Sequence, residues 1–409
     1  MPTSEEVHAS LPIVDMADEM FWREPALTAK PLLESGARVA RVPGFDSVML
    51  LRYDDCYGAL LRPDDLGNIG SRYFELQGWT AGPWIEWTRR NIVMADPPTH
   101  TRLRRLVSRA FTPARVAEVH DLVEKIAHEL CDSVADVDSV EIVHGWARLL
   151  PLRVITEVLG VPSVDQEQMG QWTEALSAAA GLPSDENRAA GDAAMTAFNE
   201  YVGEQIEERR AHPRDDLLTA MIDAEEAGDR LDHGELVAMV VQLMFAGHET
   251  TRNLIGNLLY RLLEDPTRLE LVRADRSLVA TAVEESLRYD PPITFTSRIA
   301  RRPLTLCDVA VDQGALVVLF LTAANFDPDQ WNDPHRFDVA RPDASRHLSF
   351  GWGIHRCLGA NLARLEGEIA LRVVLDRFRH IEPAGNPSEW TAFTPLRGRE
   401  RLDVRFTSA

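Results

Sequence analysis

The chain has 409 residues, 45% of them hydrophobic and 26% charged, an ordinary globular composition with enough length to bury a large core, which sets aside disordered and fibrous classes. A formal net charge of -21 argues against nucleic acid as a partner and for a soluble protein repelled by anionic surfaces, so any basic site must be local. The four cysteines, Cys56, Cys131, Cys307 and Cys357, form no C-x-x-C pair, which points away from a zinc site or a disulfide framework and toward a reducing cytosol.

The first thirty residues carry acids throughout and no long apolar run, so they fit neither a signal peptide nor a membrane anchor, and the protein is expected to be free in the cytoplasm. Lysine occurs only at positions 30 and 125 while arginine and alanine abound, a bias associated with GC-rich bacterial genomes. RVARV and SVMLLRY are the first strand-like runs. From Leu66 to Val93 large aromatics (Tyr73, Phe74, Trp79, Trp84, Trp87) alternate with glycine at poor periodicity. Helical periodicity takes over from about Leu103, in stretches such as VAEVHDLVEKIAHELCDSV and ARLLPLRVITEVLG.

Asp232 to Pro266 reads as one helix roughly 50 Å long at 1.5 Å per residue. Asp232 with Glu235 makes a capping-box start and Asp265-Pro266 a stop. Gly247, His248, Glu249, Thr250 and Thr251 interrupt its apolar pattern, so two helices broken at Gly247 are the alternative. Later strand-like runs are PLTLCDVAV, ALVVLFLTAA and RLDVRF, and DPPTH, YDPPITF and FDPDQWNDPHRFD read as turns. With no repeat, linker or low-complexity tract, the expectation is one domain over residues 1–409, mainly α with small β-sheets.

The chemistry concentrates in S-F-G-W-G-I-H-R-C-L-G-A, where glycines 351, 353 and 359 surround a lone cysteine that opens an amphipathic helix. A thiolate at a helix N-terminus gains from the positive end of the macrodipole and from unpaired backbone N–H groups. Glycines let the backbone fold tightly under a flat cofactor and aim N–H groups at the sulfur. Such a sulfur suits an iron ligand, and a cysteine ligand pushes electron density toward iron and favours O–O cleavage.

The string F-G-x-G-x-H-x-C-x-G resembles the haem-binding loop of the cytochromes P-450, and the other motifs of that family recur in order over nearly the whole chain. The resemblance implies a cytochrome P-450 fold in which haem lies between the long central helix and the cysteine loop. It makes Cys357 the axial metal ligand, places Phe350 beside the sulfur with Gly351 and Gly359 shaping the loop, and puts His355 on a haem propionate. A-G-H-E-T-T is similar to the segment carrying the family's acid–alcohol pair, which makes Glu249 and Thr250 catalytic and His248 structural. Gly247 costs about 1 kcal/mol against alanine inside a helix and so asks for a reason; Ala246 and Gly247 would leave room for dioxygen. Thr250 can bond back one turn and loosen the helix.

Glu285 and Arg288 match E-x-x-R, and Arg336 in D-P-H-R-F-D matches the third member of that structural ion network. Haem's two carboxylates need cationic partners when buried, and His100, Arg104 and Arg298 match the family's propionate donors. The aromatic loop resembles the roof of the substrate pocket, with Trp79, Trp84, Trp87, Leu243, Ile293, Phe295 and Thr394 as candidate walls for a bulky, mainly hydrophobic substrate.

No glycine-rich dinucleotide fingerprint follows a strand, so electrons are expected from a separate ferredoxin and ferredoxin reductase. Arg102, Arg105, Arg109, Arg356 and Arg364 are the local basic patch offered to that partner, or else internally paired surface charge. The expected cofactor is haem b and the expected state a monomer. Hydroxylation is the expected outcome; coupling or desaturation by the same chemistry and a non-catalytic haem sensor are the competing readings.

Overall fold

A computed structural model describes residues 10–44, 47–110, 113–135, 137–181, 184–226 and 229–408. In chain order its helices are α1 (Glu19–Arg23), α2 (Pro25–Glu34), α3 (Tyr53–Leu60), α4 (Arg72–Leu76), α5 (Pro83–Arg90), α6 (Thr99–Ala110), α7 (Pro113–Val134), α8 (Leu149–Leu159), α9 (Gln166–Ala180), α10 (Asp185–Ala211), α11 (Leu217–Asp223), α12 (His233–Glu264), α13 (Pro266–Ala274), α14 (Leu278–Tyr289), α15 (Leu321–Asn325) and α16 (Ala360–Arg377). The strands are β1 (Val39–Arg41), β2 (Ser47–Leu50), β3 (Leu66–Asn68), β4 (Val140–Glu141), β5 (Glu225–Glu226), β6 (Asp229–Arg230), β7 (Thr296–Ala300), β8 (Leu304–Leu306), β9 (Val309–Val311), β10 (Leu316–Leu319), β11 (Phe378–Pro383) and β12 (Asp403–Ser408).

Contacts divide the chain into two compact units: Met1–Ile69 with Asn257–Cys357 and Ser388–Glu400, and Gly70–Gly256 with Leu358–Pro387 and Arg401–Ala409. The first holds a five-stranded sheet in the order β1-β2-β10-β7-β3, with β2 and β10 parallel and the remaining pairs antiparallel. Alternate residues of β2 and β10 enter two apolar clusters: Val48, Leu50, Val317 and Leu319 in one, Met49 and Val318 in the other, as a period of two requires. The second unit is helical, with a core built from Leu152, Ile155, Met169, Phe198 and the apolar side chains of α12, and a small sheet β11-β12-β4.

The long helix forms as one unbroken element, so Gly247 does not split it. Its start is a reciprocal capping box: the Asp232 backbone N–H donates to Glu235 Oε2 (3.0 Å) and the Glu235 N–H to Asp232 Oδ1 (2.8 Å). Pro266 opens α13 behind Asp265, whose side chain accepts from the Thr267 N–H. Two strand-like runs divide. PLTLCDVAV becomes the β8–β9 hairpin, turning at Cys307 and Asp308 with φ of 49° and 67°, and ALVVLFLTAA becomes β10 followed by α15. Among the described residues no helix is long and apolar enough to cross a membrane.

Candidate active site

The cysteine loop belongs to the first unit and is held from beneath by a buried ion network on α14. Glu285 and Arg288 are both fully buried and paired through two bonds, Arg288 Nε to Oε2 at 2.7 Å and Nη2 to Oε1 at 2.8 Å. The third guanidinium is that of Arg341, which contacts both Glu285 oxygens at 3.1–3.2 Å, and the Asp338 N–H adds a bond of 2.9 Å. This corrects the expectation for Arg336. Its side chain is exposed, because the meander turns its carbonyl inward to accept from Arg341 Nη2 (2.9 Å) and Arg288 Nη2 (3.3 Å).

The same helix fixes the start of the loop. His347 Nδ1 accepts from the Ser349 N–H (3.1 Å), which leaves Nε2–H to face Glu284 at 3.0 Å. Ser349 Oγ donates to the Leu287 carbonyl (2.6 Å), and Asn325 bonds both Leu348 N and Ser349 Oγ. Gly351 and Gly353 then adopt φ of +63° and +70°, and a Cβ on Gly353 would lie 2.5 Å from the Leu60 carbonyl oxygen, so position 353 tolerates only glycine. Trp352 packs on Tyr57, Arg356 lies over the Trp352 ring at 5.1 Å, and the Cys357 N–H closes the loop on the Phe350 carbonyl at 2.9 Å. Phe350 packs on His347, and Gly359 is the N-cap residue of α16, where no protein atom lies within 4 Å of an added Cβ. His355 ends the short 3₁₀ turn from Gly353.

In the second unit the middle of α12 has two chemically different faces. Thr250 Oγ1 donates to the Ala246 carbonyl at 2.6 Å, the back-bond expected from its position. Leu243, Ala246, Gly247 and Thr250, spaced 3-1-3, form a stripe that stays partly or fully accessible beside the buried Met244, His248 and Glu249. A Cβ on Gly247 would make only an ordinary 3.5 Å contact with Ile155, so the small residue that opens this face is Ala246. Behind the stripe His248 is fully buried with Nδ1 3.0 Å from Thr173 Oγ1, and burial drives its imidazole well below the usual range, so it stays neutral. Glu249 is 2% exposed and held by Arg252, Nη2 to Oε2 at 2.9 Å and Nη1 to Oε1 at 3.2 Å. Burial pushes its carboxyl up; Arg252 is the main opposing influence.

His100 and Arg104 sit one turn apart on α6. His100 is buried, and burial, then the neighbouring Arg104 charge, holds its imidazole below the usual range. Arg298 is buried in β7 of the first unit, its Nη1 donating to the Ser297 carbonyl (2.8 Å) and Thr296 Oγ1 (3.2 Å). Of the basic patch, Arg102 is bound by Glu235 and by Asp229 at 3.3 Å, and Arg105 lies 4.0 Å from Asp229, so acids of the same unit neutralise both. The side chain of Arg109 lies outside the described residues.

The candidate pocket walls separate. Trp79, Trp84 and Trp87 form a continuous aromatic stack with Phe74 and Phe245, all three tryptophans at most 5% exposed, so they build core rather than an open roof. Leu243 packs on the edge of that core. Phe295 is likewise turned into a core, against Phe21 and Trp22. Ile293 does meet the 394–396 segment: it bridges Leu396, and Thr394 Oγ1 accepts from the Leu396 N–H at 3.2 Å. The sequence reading missed Arg341, Arg252, Thr173 and Glu366, a fully buried acid of α16 with Oε2 unbonded, and no motif or spacing marks them.

The family model for Cytochrome P450 matches residues 163–394, and the chain belongs to that family of oxidoreductases and is a monooxygenase of the bacterial type. It is 39% identical to Cytochrome P450 107B1 of Saccharopolyspora erythraea across 90% of this chain and 91% of the relative. To 6-deoxyerythronolide B hydroxylase of the same organism it is 43% identical, over 77% of this chain and 78% of that one. The solved cytochrome P450 CYP109Q5 from Chondromyces apiculatus superposes with a TM-score of 0.87 at 32% identity, covering 97% and 99% of the two chains. The cofactor of this family is haem iron, and the chemistry of the donors in each unit suits it: in the first a thiol in a glycine-shaped loop with the Arg298 and His355 side chains, in the second His100, Arg104 and the small-residue stripe at Ala246.

Proposed function

We propose that this chain takes electrons from an external ferredoxin and its reductase and hydroxylates a bulky, mainly hydrophobic small molecule of secondary metabolism, a macrolide-like ring being the class its relatives suggest. One of them is named as a hydroxylase of 6-deoxyerythronolide B, and another, 36% identical over 99% of this chain, is the monooxygenase PikC of Streptomyces venezuelae. In this reading the cofactor is haem b, the enzyme acts in the cytoplasm as a monomer, and coupling or desaturation is the alternative outcome.

The observation that carries the proposal is the division of α12 between an open Ala246–Thr250 stripe and the buried acid Glu249, immediately before Thr250. A sensor has no use for proton delivery. Cys357 would hold the iron, with Phe350 beside the sulfur and Gly351, Gly353 and Gly359 shaping the loop; His100, Arg104, Arg298 and His355 would hold the propionates. Bound there, haem iron with a thiolate ligand supplies reductive activation of dioxygen and insertion of one oxygen atom into a C–H bond. Ala246 keeps the helix face small where dioxygen would sit. The Thr250 hydroxyl, bonded to the Ala246 carbonyl, is the donor on that face, and Glu249 is the acid that would relay a proton to it from solvent. Glu285, Arg288 and Arg341 brace the loop and take no part in the chemistry.

The test has two stages. Titration of the ferric protein with terpenoids, steroids, macrolides and cyclic dipeptides, read by the Soret spin-state shift, identifies the class bound. Turnover with ferredoxin, reductase and NAD(P)H should then give a product heavier by one oxygen atom; a product lighter by two hydrogens, or a covalent dimer, would replace hydroxylation by desaturation or coupling.

A further inference from the structure

We infer that Arg252 is the positioning residue of Glu249: it clamps the acid as a carboxylate turned toward α9 and out of line with Thr250, and so sets the state from which proton delivery starts. The inference rests on the reading of Glu249 as the proton-delivering acid. Adjacent residues of a helix point about 100° apart, so Thr250, bonded to Ala246, and Glu249 leave α12 in different directions. The clamp is two-pronged, at 2.9 and 3.2 Å, and nearly dry, with Glu249 2% and Arg252 8% exposed; Arg252 Nε is anchored in turn on Asn253 Oδ1 at 3.2 Å.

The groups facing Glu249 are Arg252 and His248 from its own helix, Glu174 and Ser177 from α9, and His144 from the turn before α8. His248 is held neutral by burial, and the Arg148 guanidinium is already committed to Glu174 (2.6 Å) and Glu167 (3.0 Å). Arg252 is therefore the cation in direct contact with Glu249. Remove its charge and the buried carboxylate loses the partner that offsets its desolvation, so it takes up a proton. Glu174 of α9, 41% exposed and held by Arg148, faces the clamped acid and raises its carboxyl further. No motif of the sequence flags this, because i,i+3 acid–arginine spacings are common on helix surfaces, where they do little.

The experiment compares Arg252→Gln, Arg252→Lys, Glu249→Gln and the Gln double variant, all with haem bound. Infrared difference spectra in H2O and D2O at neutral pH should show, beside the band of the protonated Glu366 common to all four proteins, an additional protonated carboxyl band in Arg252→Gln that the wild type, Arg252→Lys and the double variant lack. In turnover, the pH at which product formed per NAD(P)H consumed changes should move up by about 1–3 units in Arg252→Gln and return with Arg252→Lys. Arg252→Gln with no such band and an unmoved profile would overturn the inference. Should the band appear while Glu249→Gln couples as well as the wild type, the clamp stands and the proton-delivery reading of Glu249 is what fails.

Discussion

The cysteine loop and the centre of α12 solve opposite problems. In the cysteine loop and the helix that supports it the side chains are tightly partnered: Glu285 lies between Arg288 and Arg341, His347 between Glu284 and Ser349, and Gly353 has no room for even a methyl group. On α12 the Thr250 hydroxyl bonds back to the Ala246 carbonyl within an unbroken helix, and the buried acid Glu249 is clamped by Arg252. Under the proposed function the first region would hold one geometry around a metal ligand and the second would supply a proton: rigidity suits ligation, and a buried charge with one partner suits proton transfer.

Breaking the rigid side should have the largest effect. Glu285→Ala leaves two buried guanidiniums unpaired, and unfolding of the haem-loaded protein in urea should show a loss of about 3–5 kcal/mol; a loss under about 1 kcal/mol would mean that the network is decorative. On the poised side, Thr250→Ala should leave stability and haem content unchanged but divert reducing equivalents to hydrogen peroxide, cutting product per NAD(P)H about tenfold, the worth of one charge-assisted hydrogen bond. Coupling equal to the wild type would remove Thr250 from the reaction.

A third variant sharpens the contrast through α16. Burial lifts the Glu366 carboxyl from an ordinary 4.5 to about 8. Its folded form therefore holds a proton that the unfolded chain releases, so the contribution to stability is complete below about pH 4.5 and is lost as the pH rises to about 8. Glu366→Gln should flatten that decline, by at most about 1.4 kcal/mol per pH unit, in thermal melts across the range. The smallest effect belongs to the surface. Arg102→Gln breaks pairs with Glu235 and Asp229, and should cost under about 1 kcal/mol and leave the KM for ferredoxin unchanged, whereas Arg356→Gln, exposed beside Cys357, should raise that KM. The reverse pattern would restore Arg102 to a docking patch.

Much of this was legible from the chain alone because the decisive signals are local. The capping box at Asp232 and Glu235, the stop at Asp265-Pro266 and the glycines around Cys357 are short-range devices, and each takes the form its sequence demands. What the sequence hides depends on distant partners. Arg336 and Arg341 stand in one meander, and only the turn that aims the Arg336 carbonyl inward selects Arg341 for Glu285. Trp79, Trp84 and Trp87 look like a roof because glycines interrupt their periodicity, yet they stack into core, and Phe295 is claimed by Phe21 and Trp22. Whether PLTLCDVAV runs straight or folds back is likewise settled by two left-handed residues, Cys307 and Asp308, neither of them glycine.

The most direct test of the account is the reduced carbon-monoxide spectrum of Cys357→His beside that of the wild type, with haem content measured in both. The account predicts a thiolate-type Soret band in the wild type and its loss in a variant that still folds and still binds haem; a Cys357→His protein that keeps the wild-type band would show that another residue holds the iron.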